Sequence, residues 1–257
     1  MRATYGIDAP GLLAGFALGG AGLLALAAGL TLGLDAVWAD RLAWVAGLLA
    51  VYPLGMAALM LYDSLHTKIV TAEMLLSRHR WTGAEEVLDV GCGRGLMLVR
   101  AALRLTTGHA IGVDLWRQQD QASNTPARTM ANAQAEGVAD RVTVETADMR
   151  NLPYPDDRFD VVVSNWVVHN LDAPVDRLRA LSEMVRVLRP SGTLIVSDIV
   201  NRDEYRDALN GLGLIEPTIV VAHRLREAVL RRVSFGSYQP AAVIGHKAAS
   251  VRPPAGG

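Results

Sequence analysis

Two long apolar runs open the chain, and strand-like and helix-like periods alternate behind them. The first, "GLLAGFALGGAGLLALAAGLTLGL", fills residues 11–34 without a charge, an amide or a histidine. As a helix it would reach about 36 Å, more than the ~30 Å hydrocarbon core of a bilayer. A second uncharged run over residues 42–62 would reach about 32 Å, and it contains Pro53, which bilayer helices tolerate. The link "DAVWADR" predicts a tight hairpin with Trp38 at the interface. Gly11, Gly15 and Gly19 recur every four residues, as do Gly29 and Gly33, which predicts a smooth stripe for close helix packing.

The first run is too long for a signal peptide, and a second run follows it. A soluble buried hairpin is the other reading, but two long segments without charge are unusual in water. The expectation is a transmembrane hairpin over 1–62. Lys68, Arg78 and Arg80 after the second span put both termini and the following domain in the cytosol, as in a bacterial inner-membrane protein. Residues 63–83 read as a linker helix, with Leu65, Ile69, Ala72, Leu75 and Leu76 at helical spacing. It is either a connector packed on the domain or a lid.

From residue 84 to 249 the pattern is that of a single α/β domain. "EVLDVG", "HAIGVDL", "RVTVETAD", "FDVVVSN" and "GTLIVSDIV" read as strands. "LMLVRAALRLT", "TPARTMANAQAEG" and "APVDRLRALSEMVRVLRP" read as helices between them; the last would bury Leu178, Leu181, Val185 and Leu188. Such alternation builds a parallel sheet covered by helices on both faces. A helix near 202–212 and two strands in "IEPTIVVAH" and "AAVIGH" would complete it, and 250–257 read as a disordered tail.

Composition narrows the chemistry. With 25 basic and 26 acidic residues in 257, the formal charge of −1 offers no basic face for nucleic acid. The one cysteine, Cys92, excludes an intrachain disulfide and a zinc site built on several thiolates. No metal is expected, and oligomeric state is left open.

"DVGCGRG" sets Gly91, Gly93 and Gly95 at a strand-to-helix turn, where glycine permits positive φ and close ligand approach. The spacing is G-x-G-x-G, one residue short of the dinucleotide fingerprint G-x-G-x-x-G. Asp114 ends the next strand, where a carboxylate accepts from the ribose hydroxyls of an adenosine.

Taken together, "VLDVGCGRG", "IGVDLW", "TADMRNLPYPDDRFDVVVSNWVVHNL" and "VLRPSGTLIVSDI" resemble the successive motifs of class I S-adenosylmethionine-dependent methyltransferases. Within these they most resemble the small-molecule branch that holds the quinone and sterol C-methyltransferases. The resemblance implies a Rossmann-like, mostly parallel seven-stranded sheet with the last strand antiparallel, and S-adenosylmethionine as cofactor. It also implies that Asp89 and the loop glycines hold the methionine end and Asp114 the ribose. Leu115 and Trp116 would flank the adenine, Asp148 would accept from its amino group with Met149 alongside, and Asn165 would face cofactor and substrate entrance. "SNWV" departs from the D/N-P-P-aromatic motif of many N-methyltransferases, and Cys92 reads as a small structural side chain.

His169 lies just past the fourth strand, at the edge where open α/β sheets bind ligands, and is a candidate base; a histidine bonded at a helix start is the plainer reading. Asp120, Gln121 and Asn124 are candidate substrate contacts or a solvated loop, and Asp198 at the end of the fifth strand is another candidate. "HRLREAVLRRVSF" sets four arginines among apolar residues, either an amphipathic segment on an anionic leaflet or a solvated helix face. The leading expectation is a membrane-anchored methyltransferase acting on a lipophilic or small organic acceptor. A water-soluble acceptor and a catalytically silent cofactor-binding module are the alternatives.

Overall fold

The computed structural model describes residues 3–33, 36–117, 124–234, 236 and 238–249. Asp120, Gln121 and the tail 250–257 lie outside the described residues. Among the described residues the chain forms two compact units: Tyr5–Val70, and a larger one that holds Thr4, Thr71–Arg117 and the described residues from 124 onward.

The smaller unit is built on α1 (Pro10–Gly33) and α2 (Val37–Tyr62). Both are apolar and long enough to cross a membrane, by length and composition. Helix α2 begins at Val37, so Trp38, Asp40 and Arg41 belong to its first turns and not to a hairpin link as expected. The expected glycine stripe is not the packing seam. A Cβ at Gly11, Gly15, Gly19, Gly29 or Gly33 would meet open space, whereas one at Gly20 would lie 2.5 Å from Leu54 Cγ. The small residues that let the helices approach are on α2: Ala39, Ala43, Ala46, Ala50 and Ala57 are buried at helical spacing.

The second helix continues past Tyr62 through a π turn (Asp63–Thr67) into α3 (Lys68–Leu76). Each π turn widens a helix locally and re-aims its side chains. Here Lys68, 8% exposed, donates to Gly6 O at 2.6 Å and Tyr5 O at 3.1 Å and pairs with Asp8 at 3.1 Å. Asp8 also bonds Ser64. The helix ends at Leu76 and does not run to 83; the Trp81 indole donates to the Leu76 carbonyl there. Ala72, Leu75 and Leu76 are buried as the spacing predicts, but Leu65, in the π turn, is exposed.

The larger unit alternates β1 (Glu86–Val90), α4 (Leu96–Ala102), β2 (His109–Asp114), α5 (Pro126–Ala135), β3 (Val142–Thr146) and β4 (Phe159–Asn165). It continues with α6 (Pro174–Val187), β5 (Leu188–Asp198), α7 (Arg202–Gly211), β6 (Leu214–Val220), α8 (Arg224–Val233) and β7 (Ala241–Lys247). The sheet order is β3-β2-β1-β4-β5-β7-β6, with β7 antiparallel to both neighbours. Strands β1 and β4 are nearly continuous buried runs of Val, Leu and Phe, as a sheet covered on both faces requires. Leu88, Val162 and Leu194 of the sheet pack with Leu181 and Met184 of α6 and Tyr205 and Leu209 of α7.

Local signals explain the ends. Thr125 caps α5 by accepting from the Arg128 amide, Pro126 stands at its first turn, and Gly137 with φ +74° follows it. In α6 the buried face is Arg177, Ala180, Leu181, Met184 and Val185; Leu178 points outward, and Leu188 already belongs to β5. Leu181 and Val185 are thus buried as the spacing predicts, and Arg177, held by Glu204 at 2.8 Å, takes the core-side place beside the exposed Leu178. The strand order turns back between β1 and β4, and the loops at their carboxyl ends form the crevice where such sheets bind ligands.

Candidate active site at the carboxyl edge of the sheet

The loop after β1 is shaped by backbone that only glycine adopts without strain. Gly91, Gly93 and Gly95 have φ of +74°, +50° and +81°. A Cβ on Gly91 would lie 2.5 Å from the Val167 side chain. The Gly91 and Cys92 amides donate to Val113 O, which fastens the loop to the end of β2. Cys92 is buried against Gly112, where a Cβ would meet its sulfur at 2.8 Å, and burial pushes the thiol up, away from reactivity.

Two carboxylates flank this loop. Asp89 is 1% exposed; its Oδ2 accepts from the Leu98 amide at 2.8 Å in the first turn of α4, and its Oδ1 is buried without a partner. Burial first, and then repulsion from Asp114, raises it to about 7, against the pull of the Leu98 amide. Asp89 thus braces the loop from beneath. Asp114 accepts from the Gly93 amide at 2.9 Å through Oδ2, and from the Trp116 amide and the Asn124 side chain through Oδ1. Asn124, a candidate substrate contact, is therefore a buried support of Asp114.

The remaining candidates end or follow β2, β3 and β4. Leu115 is exposed, and Trp116 takes φ +59° with its indole bonded to Thr146 Oγ1 at 2.8 Å. Asp148 is held below the usual carboxylate range chiefly by hydrogen bonds from the Arg150 side chain, which chelates it and also reaches Asp176. Met149 packs against the core cluster, and Asn165 ends β4, half-buried. Trp166 follows with φ +57°, a strained value for a bulky residue, and its ring meets Tyr238 edge-on at 6.4 Å.

His169 and Asp198, separate candidates in the sequence, are one unit. His169 Nδ1 lies 2.5 Å from Asp198 Oδ1, and the His169 amide donates to Oδ2 at 3.0 Å. Asp198 is 2% exposed and also accepts from the Ile199 amide and the Tyr205 hydroxyl. Burial and the nearby Asp198 charge push the Tyr205 phenol up, so it stays a donor. A carboxylate only accepts, so Nδ1 carries the proton and Nε2 offers a lone pair. The histidine sits in a 3-10 turn (Val168–Asn170), so the plainer reading of a bonded turn residue holds as well.

Sequence reasoning missed the outer support of the loop. Thr129 Oγ1 donates to Gly93 O at 2.6 Å, and Asn132 Nδ2 donates to Arg94 O at 2.8 Å. Asn132 also pairs with both the amide and the carbonyl of Thr4. A polar pair three apart on a helix was the only signal, and it looks like a solvated face. Among the described residues no group of three His, Cys, Asp or Glu is placed to hold a metal.

Residues 88–196 match the family model of a methyltransferase domain. This segment, less than half of the chain, is thus similar to methyltransferase domains. Similar proteins include the 27-O-demethylrifamycin SV methyltransferase of Amycolatopsis mediterranei, 34% identical over 119 residues, covering 45% of this chain and 39% of that one. The ubiquinone/menaquinone biosynthesis C-methyltransferase of Geobacter sulfurreducens is 34% identical over 123 residues, covering 46% and 43%. The chain thus spans less than half the length of each of these two relatives. Among solved structures, the geranyl diphosphate C-methyltransferase from Streptomyces coelicolor superposes with a TM-score of 0.57 at 19% identity, covering 74% of this chain and 84% of that one. The [4+2]-cyclase SpnF superposes with a TM-score of 0.55 at 19% identity, covering 71% and 82%. At such identities the fold alone is shared, and a fold does not choose its reaction.

Proposed function

We propose that the chain is a membrane-anchored methyltransferase that uses S-adenosylmethionine to methylate a lipophilic small molecule activated by loss of a hydroxyl proton. The observation that carries this reading is the His169–Asp198 pair at the carboxyl edge, beside the strand ends that shape the cofactor loop. The donor set fits the cofactor: a loop of three positive-φ glycines, a carboxylate at the end of β2, and the buried orphan oxygen of Asp89 beneath the loop. Asp114 would hold the ribose, Leu115 and Trp116 the adenine faces, Asp148 and Met149 its edge, and Asp89 with Gly91, Gly93 and Gly95 the methionine end. Asn165 would face both ligands. When bound, the cofactor supplies a methyl group already activated on a sulfonium.

The chain's part is then positioning and proton transfer. Asp198 keeps the Nδ1 proton in place, and Nε2 of His169 takes the acceptor's hydroxyl proton as the new bond forms. The methyl ends on that oxygen, or on a ring carbon that the resulting anion activates; in the second case that carbon loses its proton to restore the ring, and the oxygen takes a proton back. The acceptor assignment draws on the similarity to a 27-O-demethylrifamycin SV methyltransferase and to a C-methyltransferase of ubiquinone/menaquinone biosynthesis. Anchoring draws on α1 and α2–α3, in whose most apolar stretches only 6% and 11% of residues are buried, unlike helices of a soluble core. The test is transfer from a trideuteromethyl donor to a lipid-soluble phenol, read by mass spectrometry. The reading predicts a labelled product with the full chain and loss of about 10²–10⁴ in rate in His169→Ala, the usual share of a general base. An undiminished rate in that variant would overturn the proton-transfer role.

A further inference from the structure

Helix α8 turns an unusual face to solvent. Leu225 is 83% exposed and Val229 51%, one helical turn apart on the same side. Arg232 continues that line three residues further, and Arg224 and Arg231 flank it, all exposed. The opposite side holds Leu230, buried in the domain, and Glu227, paired with Arg202 at 3.0 Å. The outer face is therefore two apolar side chains ringed by arginines, with the helix's one acid turned inward and already neutralised.

The helix is also joined to the reacting edge. After α8 the chain brings Tyr238 against Trp166, which follows the end of β4, and the Gln239 amide onto the Ile199 carbonyl, which follows Asp198. We propose that α8 lies on an anionic lipid surface, with Leu225 and Val229 in the head-group layer and the arginines on lipid phosphates, so that the acceptor mouth opens toward the bilayer. Charge complementarity selects this occupant: arginine stems reach along apolar side chains while their heads meet negative lipid. The inference rests on the anchored reading above, because tethering keeps a weakly binding helix near lipid.

The experiment places the full chain in nanodiscs of phosphatidylcholine alone, or with phosphatidylglycerol added, without donor or acceptor. Hydrogen exchange of residues 224–233 is followed, together with quenching by head-group spin-labelled lipids of a dye on Leu225→Cys. Cys92 is buried, and the parent chain serves as the labelling blank. Slower exchange and stronger quenching are expected in the anionic discs. The double variant Arg231→Gln/Arg232→Gln should lower the docked-to-free ratio about thirtyfold, from about 1 kcal/mol per arginine. Equal, fast exchange and no quenching in both lipids would overturn the proposal, and a protein partner would then be the better occupant of this face. A chain that does not stay with the disc overturns anchoring as well. A chain that stays, transfers methyl and leaves α8 free overturns the docking alone.

Discussion

Replacing Asp198 with asparagine removes the charge behind His169 and changes little else in volume. In the folded protein this carboxylate accepts four hydrogen bonds: His169 Nδ1 at 2.5 Å, the His169 amide at 3.0 Å, the Ile199 amide at 2.8 Å and the Tyr205 hydroxyl at 3.1 Å. An amide keeps one acceptor oxygen, so at least one of these donors faces an NH₂ group. A hydrogen bond to a charged group contributes about 1.5–3 kcal/mol. If the bond to Nδ1 works fully in the transition state, where the imidazole gains charge, the rate should fall roughly tenfold to 150-fold. Donor affinity should stay within about twofold, because the hydrogen bonds of Asp198 go to His169, Ile199 and Tyr205 and not to the glycine loop. The assay is the initial rate of methyl transfer across pH, with donor affinity from calorimetry. His169→Ala should fall at least as far. Tyr205→Phe is the control: it removes one bond from the same carboxylate, should lower stability by about 1 kcal/mol, and should change the rate by less than about threefold. Asp198→Asn with an unchanged rate would refute the reasoning, as would Tyr205→Phe slowing the reaction as much as Asp198→Asn.

Three further outcomes are expected. Gly91→Ala puts a Cβ 2.5 Å from Val167 at φ +74°, so the thermal midpoint should drop by the equivalent of about 1–3 kcal/mol and donor affinity by about tenfold or more; normal calorimetry would contradict the loop assignment. Asp89 carries a folded carboxyl raised to about 7 from an ordinary 3.8, so between those values the unfolded chain gives up a proton that the folded chain keeps. Stability should therefore fall as pH rises through that window, by at most about 4 kcal/mol, and thermal melts of Asp89→Asn should lose that slope. Asn132→Ala frees Arg94 O and Thr4 from their shared partner, which should weaken donor binding about fivefold, for about 1 kcal/mol, with kcat nearly unchanged; a loss in kcat with normal affinity would contradict a role in steadying the loop.

The parts of the fold legible in the sequence are those with a strong local period. Buried parallel strands such as "EVLDV" and "FDVVVSN", and glycines that must take positive φ, announce themselves within a few residues. Partnerships across the sequence do not. His169 and Asp198 lie 29 positions apart, and only the parallel pairing of β4 with β5 brings their strand ends together. The Asn132–Thr4 pair spans 128 positions and carries no periodic signal at all. In the apolar helices the glycine repeat pointed to the wrong seam, because alanine at matching spacing on α2 serves the same close approach and is invisible in a run already rich in alanine. The π turn at Asp63–Thr67 likewise has no distinctive residue pattern, and the contacts of Lys68 just after it, to Tyr5, Gly6 and Asp8, span about 60 positions.

One measurement addresses both the methyl-donor site and an acceptor held in lipid. Full-length protein in vesicles loaded with a bacterial lipid extract is given donor labelled on its methyl group, and the label is counted in the organic and aqueous phases. Label is expected in the organic phase, dependent on His169 and reduced in Asp114→Ala through donor affinity. Donor binding with no label entering the organic phase, or label confined to water-soluble product, would contradict the proposed function.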